Sequence, residues 1–220
     1  MNEASILDII SPVMVGPSSS HTAGAVRIGL LARNIYGDDI EKVKIILYNS
    51  YAQTGLGHGT DKGIIAGLLG FSVDNTIIKD VFDSWEASKI EYRFEFRESF
   101  THHPNSVDFI FTGKKNMEIS AQSVGGGEIR VVKIDNFEVN LDGKLNTIIV
   151  VAKDEPGTIS KITGIIQNYG ANIANLKCDR FSKGDSASCC IALDSKIDAK
   201  AIDEIKEKLN PFLIRYIKKL

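Results

Sequence analysis

Thr147-Ile148-Ile149-Val150-Val151-Ala152-Lys153, with the turn Asp154-Glu155-Pro156-Gly157 behind it, opens the part of the chain whose fold can be read directly. The β-branched run suits a buried strand, and Pro156-Gly157 ends it. A helix follows from Thr158, because Ile159, Ile162, Ile165 and Ile166 recur at helical spacing and Gly170 is placed to cap its carboxy end. Residues 172–181 and 186–193 then read as strands joined by the hairpin signal Ser182-Lys183-Gly184-Asp185. Asp198 is placed to cap a second helix whose apolar stripe is Ile202, Ile205 and Leu209, and residues 212–217 close as a strand. The order βαββαβ predicts a ferredoxin-like sandwich.

Toward the amino terminus, Leu141-Asp142-Gly143-Lys144 is a turn-forming tetrapeptide that separates this module from a charged, strand-like run. Two domains are expected, 1–143 and 144–220. All four histidines (His21, His58, His102 and His103) lie in the first, and all three cysteines (Cys178, Cys189 and Cys190) in the second. The first domain reads as α+β. A Ser/Gly-rich loop at 16–24 leads into a helix over 25–35, and a strand over 43–51 is followed by a glycine-rich loop and a helix over 61–69. A further helical stretch is expected around 77–87. Residues 90–98 alternate apolar and charged side chains as a half-solvated strand does, and 107–111, 117–124 and 129–134 continue as antiparallel strands. The fold class is α+β throughout.

Composition narrows the function. The 220 residues carry 26 Lys+Arg against 28 Asp+Glu, a formal net charge of −2, and the densest basic run is Lys218-Lys219. Nucleic acid is therefore not an expected partner, since phosphate neutralisation needs a basic footprint. No apolar run approaches the ~20 residues of a membrane-spanning helix. The acidic amino terminus, MNEASILDII, is unlike an export signal, and the thiols are too few and too poorly spaced for a disulfide framework. A reducing, cytoplasmic setting is expected.

Gly16-Pro17-Ser18-Ser19-Ser20-His21-Thr22-Ala23-Gly24 places four hydroxyls and an imidazole at the start of a helix. Free N–H groups there, aided by the helix dipole and the hydroxyls of Ser18, Ser19, Ser20 and Thr22, suit a carboxylate or phosphate. A cap uses one hydroxyl, so this set exceeds structural need. Gly55-Leu56-Gly57-His58-Gly59-Thr60 half resembles a dinucleotide fingerprint, but Thr60 stands where the third glycine belongs, and the chain has no P-loop Gly-Lys-Ser/Thr. What remains is His58 between glycines, a general acid or base or else a plain turn histidine. Thr101-His102-His103-Pro104-Asn105 has no further ligand nearby in sequence, so no metal site is expected there; the loop could offer Asn105 or one histidine to a ligand.

Three thiols invite comparison with a cubane cluster that leaves one iron open. Cys189 and Cys190 are strand neighbours and face opposite sides of a sheet, so the cysteines read as small buried hydrophobes, with a cross-strand Cys178–Cys189 pair left open. Serine-hydrolase chemistry is not expected, because there is no Gly-x-Ser-x-Gly elbow.

Taken together, Ser11-Pro12-Val13 with the 16–24 string, Gly57-His58-Gly59-Thr60-Asp61 with Gly67-Leu68-Leu69-Gly70, and His103-Pro104-Asn105 resemble the beta subunit of iron-sulfur-dependent L-serine dehydratases (L-serine ammonia-lyases). Residues 144–220, with Asp154-Glu155-Pro156-Gly157 and Gly170-Ala171-Asn172-Ile173, resemble an ACT domain, a regulatory amino-acid-binding module. The resemblance implies conversion of L-serine to pyruvate and ammonia through loss of the α-proton and the β-hydroxyl. It implies a [4Fe-4S] cluster on a cysteine-bearing alpha subunit, with this chain completing the site. His58 and His21 would then be the acid–base residues, and Ser18, Ser19, Ser20, Thr22 and Asn105 would hold the substrate. Which histidine is the base stays open. An effector site in the ACT module at Asp154, Asn172 and Ile173, and a homotypic contact between ACT modules, are also implied. The competing reading is a non-catalytic amino-acid sensor that reports to a partner through that module.

Overall fold

The computed structural model describes residues 18–180, 182 and 184–220, with the side chain of Ser19 set aside. Expectations placed on Ser11-Pro12-Val13, Gly16-Pro17, the Ser19 hydroxyl, Phe181 and Lys183 lie outside the described residues. The chain divides into two compact units, 1–132 and 133–220.

In the first unit a wide, π-type turn over Ser19–Ala23 runs directly into helix α1, Gly24–Tyr36. The serine-rich string is thus the first turn of the helix and not a loop ahead of it. Strand β1, Lys42–Tyr48, ends sooner than its apolar run suggests, because Asn49 adopts φ 50° and ψ −116° and Ser50–Thr54 coils into the short helix α2. Tyr51 is therefore helical, and the glycine loop follows α2 before helix α3, Thr60–Leu69. The helix expected around 77–87 is instead two 3-10 segments, Thr76–Asp83 and Ala87–Lys89. Ser84 breaks it: the hydroxyl donates to the Val81 carbonyl at 2.6 Å and accepts from the Ala87 N–H at 3.2 Å, replacing the bonds a continuing helix would make.

Strands β2 (Glu91–Arg97), β3 (Ser106–Thr112), β4 (Met117–Gly125) and β5 (Glu128–Ile134) give the sheet order β2-β1-β3-β4-β5. The β1–β2 pair is parallel, and the β1–β3 and β3–β4 pairs are antiparallel. Their register aligns Val43, Ile45 and Leu47 with Phe111, Phe109 and Val107, and these with Met117, Ile119 and Ala121, in one fully buried layer. Each large side chain in it contributes roughly 1.5–3 kcal/mol by leaving water. Helix α1 packs on β4 and, more extensively, on α3. The two helices approach through glycines: a Cβ on Gly67 would stand 2.1 Å from the Val26 carbonyl oxygen, and one on Gly29 2.4 Å from that of Ile64. That close approach brings the first turn of α1 beside the loop that precedes α3.

The second unit holds β6 (Phe137–Leu141), β7 (Asn146–Lys153), α4 (Thr158–Asn168), β8 (Ile173–Arg180), β9 (Ser186–Leu193), α5 (Ala199–Leu209) and β10 (Leu213–Ile217). Its four-stranded sheet has the order β10-β7-β9-β8, with all three pairs antiparallel, as a split βαβ arrangement requires. Ile148, Val150, Ile191 and Leu193 face Ile162, Ile165, Ile166 and Ile205 in the core. Gly157 begins α4 at φ 88°, a left-handed conformation that explains glycine there, since open space surrounds the position. The Asp198 side chain accepts from the Lys200 N–H at 2.9 Å and caps α5, a contact worth ~1 kcal/mol. The division falls ahead of the turn at 141–144 because β6 packs on β8 and β9. Among the described residues no helix is long and apolar enough to cross a membrane.

Candidate active site

The wide turn at the start of α1 sets His21 against α2 and the glycine loop. Its ring centroid lies 5.1 Å from that of His58 and 5.4 Å from that of Tyr51. Nε2 of His21 is 3.3 Å from Ser50 Oγ and 3.2 Å from Thr54 Oγ1, while Nδ1 is 3.2 Å from Ser20 Oγ and 3.4 Å from Ser18 Oγ. Hydroxyls on both sides hold the ring in place. Burial lowers the His21 pKa from the ordinary 6.5, and the neighbouring His58 acts in the same direction. His21 is therefore neutral at pH 7.

His58 is presented differently. The residue is exposed, and its Nδ1 lies 3.0 Å from the Thr54 carbonyl oxygen. A carbonyl only accepts, so Nδ1 carries a proton, and the lone pair of the neutral ring is then on Nε2. The loop around it is anchored by Thr22, whose buried hydroxyl donates to the His58 carbonyl at 2.8 Å, and by the His58 N–H, which lies 3.2 Å from both the Thr54 and Gly55 oxygens. One imidazole is thus fixed and neutral, and the other is open with a free acceptor.

The depressed pKa gives a testable pH dependence. The unfolded chain binds the His21 proton more tightly than the folded one, so stability falls as the pH drops from 6.5 toward the lowered folded value. Well above 6.5, where neither state holds the proton, this group contributes no pH dependence. Ring-proton NMR is expected to place the His21 midpoint below 6.5, and the urea midpoint is expected to decline across the same window. A midpoint at or above 6.5 would contradict the burial of the ring.

The serine string works otherwise than expected. Ser18 Oγ accepts from the His21 N–H at 3.2 Å, and the Ser18 carbonyl accepts from Thr22 at 2.9 Å and Ala23 at 3.4 Å. These amides are satisfied internally and do not form an open anion nest. Thr22, buried and bonded to the His58 carbonyl, positions that loop. Ser18 and Ser20 stay partly exposed beside His21. Tyr51 ties in the loop at 99–105: its N–H donates to the Pro104 carbonyl at 3.3 Å and its hydroxyl to the Ser20 carbonyl at 2.9 Å. There Asn105 carries a buried side-chain oxygen without a hydrogen-bond partner.

Sequence reading missed Asn49, Ser50 and Thr54. Asn49 pins the loop at 99–105 through the Ser99 N–H at 2.8 Å, the Ser99 carbonyl at 2.9 Å and the His102 carbonyl at 3.1 Å. Asn49-Ser50 between an apolar run and a glycine loop was the available turn signal.

The thiols do not fit a metal cluster. Cys178 and Cys189 stand opposite each other and line one cavity, whereas Cys190 aligns with Lys177 and Ile149 on the other face of β9. Among the described residues no three His, Cys, Asp or Glu side chains converge as metal ligands. Cys178 is also exposed, contrary to the expectation of a buried hydrophobe. The cavity, about 600 Å³, lies at the β7–α4 turn and is lined by Asp154, Gly157, Thr158 and Arg180 among others. Asp154 lies 3.7 Å from Arg180 and accepts from the Gly184 N–H at 3.1 Å. Asn172 and Ile173 are at the opposite end of β8, where the Asn172 amide bonds to the Asp194 carboxylate. The three expected effector residues therefore do not form one site within the chain.

Residues 5–133 match the family described as Serine dehydratase beta chain, and residues 146–210 match the ACT domain. The chain is 37 % identical over 211 residues to a probable L-serine dehydratase, beta chain, of Bacillus subtilis (strain 168), covering 96 % of each. It is 31 % identical over 212 residues to the L-serine dehydratase, beta chain, of Peptoniphilus asaccharolyticus, covering 95 % of this chain and 94 % of that one. With L-serine dehydratase 2 of Escherichia coli (strain K12) it shares 40 % identity over 83 residues, 35 % of this chain and 18 % of the relative. Among solved structures, the ACT domain from GTP pyrophosphokinase of Chlorobium tepidum aligns with 34 % of this chain and 88 % of its own at 23 % identity, with a TM-score of 0.28. By family match and by near full-length identity, the chain belongs to the serine dehydratase beta chain family and carries an ACT domain behind that region.

Proposed function

We propose that this chain is the beta subunit of a [4Fe-4S]-dependent L-serine dehydratase in the cytoplasm, forming pyruvate and ammonia from L-serine only with a cluster-carrying alpha subunit. The observation that carries this reading is the paired arrangement of His21 and His58, ring centroids 5.1 Å apart, among the hydroxyls of Ser18, Ser20, Ser50 and Thr54. Elimination from serine requires a base for a weakly acidic Cα proton, and the lone pair on His58 Nε2 meets that need. His21, neutral and hydrogen-bonded, holds the substrate carboxylate with Ser18 and Ser20. The buried, unpartnered Asn105 oxygen suits the substrate ammonium, which is a donor only. A cluster held by an alpha subunit would supply the Lewis acid for the β-hydroxyl, and no residue of this chain is assigned to that role. The aminoacrylate that results tautomerises to an imine, which water hydrolyses to pyruvate and ammonia.

The decisive experiment mixes this chain with a cysteine-bearing partner, iron and sulfide in the absence of oxygen and follows pyruvate. Serine-dependent pyruvate formation that needs both chains is expected; its absence would overturn the proposal.

A second reading rests on the cavity beside Asp154. There the module over 144–220 binds an amino-acid effector and pairs with a second ACT module, whether or not the first unit takes part in chemistry. It predicts saturable amino-acid binding that Asp154→Ala weakens.

A further inference from the structure

Cys178 of β8 and Cys189 of β9 are aligned directly across the antiparallel pair. Residues so placed have Cα atoms about 4.5–5.5 Å apart, inside the window of roughly 4.4–6.8 Å that a disulfide spans. Both side chains line the cavity of about 600 Å³ at the β7–α4 turn, and so share one face of the sheet. The two sulfurs are unequal in access: Cys178 is exposed, while Cys189 is only 4 % exposed. Cys190 points to the other face and takes no part.

We propose that Cys178 and Cys189 form a reversible dithiol–disulfide site that is oxidised by low-molecular-weight disulfides. Burial and the adjacent Cys178 thiol raise the Cys189 pKa, so Cys189 stays protonated and Cys178 makes the first attack. The Cys178 thiolate bonds to one sulfur of the external disulfide, whose S–S bond breaks and releases one thiol. Cys189 then gives up its proton and attacks the Cys178 sulfur, breaking the mixed disulfide and releasing the second thiol. The two cysteines lose two electrons and two protons, and both pairs end on the external thiols. An accessible pair of this kind exchanges with the surrounding thiol pool instead of persisting as a structural cross-link. Because β8 is the edge of its sheet, the bond ties that edge to its inner neighbour and replaces two S–H groups in the cavity wall.

The test equilibrates the full chain, without oxygen, against graded mixtures of glutathione and glutathione disulfide, then alkylates and digests it. Alkylatable thiols are expected to fall from three to one, with a peptide joining Cys178 to Cys189 that dithiothreitol releases. Cys178→Ser, at an exposed position that leaves packing intact, is expected to abolish that peptide, and Cys190→Ser to retain it. The proposal is overturned if glutathione remains attached to Cys178 at every ratio, or if the linked peptides contain Cys190 or join two chains.

Discussion

Replacing His58 with alanine in the assembled enzyme is expected to lower kcat for serine about 10²–10⁴-fold, the span a positioned general base contributes. The residue is exposed and contributes nothing to the core, so the melting curve is expected to stay that of the parent. The change is then chemical and not structural. His58→Asn sharpens the test, because the asparagine amide can still donate to the Thr54 carbonyl, as Nδ1 does now over 3.0 Å, yet has no lone pair where Nε2 lies. It is expected to hold the loop and remain inactive. His21→Ala acts on substrate binding in this scheme and should raise KM more than it lowers kcat. Steady-state pyruvate formation separates these outcomes. Unchanged kcat in both His58 variants removes the base assignment, and parent-like turnover in the His21 and His58 variants together favours the sensor reading.

The difference between what sequence and structure reveal follows from the range of the interactions involved. The second unit was readable because its signals are local: isoleucines at helical spacing, a hairpin tetrapeptide and an Asp cap each act within a few residues, and the observed sheet order follows from them. The first unit was readable in its strands and in α1 and α3, but not at its turns. β1 was read through Tyr51 because nothing in an apolar run announces a residue such as Asn49 at positive φ. The histidines themselves stood out as residue types, yet their roles depend on partners far along the chain. His21 meets Ser50 and Thr54, and His58 meets Thr22, none of which a local pattern could connect. The serine string is divided: short-range logic suggested open N–H groups at a helix start, while the folded turn satisfies the His21, Thr22 and Ala23 amides through Ser18 and keeps the Ser18 and Ser20 hydroxyls beside His21.

Gly67→Ala is expected to be the most damaging single-methyl change in the first unit. Its Cβ would lie 2.1 Å from the Val26 carbonyl oxygen, 2.7 Å from the Leu30 nitrogen and 2.8 Å from the Gly29 Cα, all backbone atoms of the facing helix. No rotamer relieves such contacts, so α1 and α3 must separate. Overpacking of this severity costs about 3 kcal/mol, or roughly 10 °C in the melting temperature of a chain of this size. The loss reaches the candidate site as well, because α1 starts from the turn bearing His21 and α3 starts just after His58. Moving the helices apart stretches the 2.8 Å bond from Thr22 to the His58 carbonyl and widens the 5.1 Å spacing of the two rings. Gly164→Ala is the matched control, since it lies in α4 with open space around the added methyl, and helix propensity there favours alanine by about 1 kcal/mol. The two substitutions add the same atom to helical glycines and are expected to shift stability in opposite directions, with activity falling only for Gly67→Ala. Equal melting temperatures for the parent and Gly67→Ala, measured by calorimetry or far-ultraviolet dichroism, would show that α1 and α3 are not held at this separation.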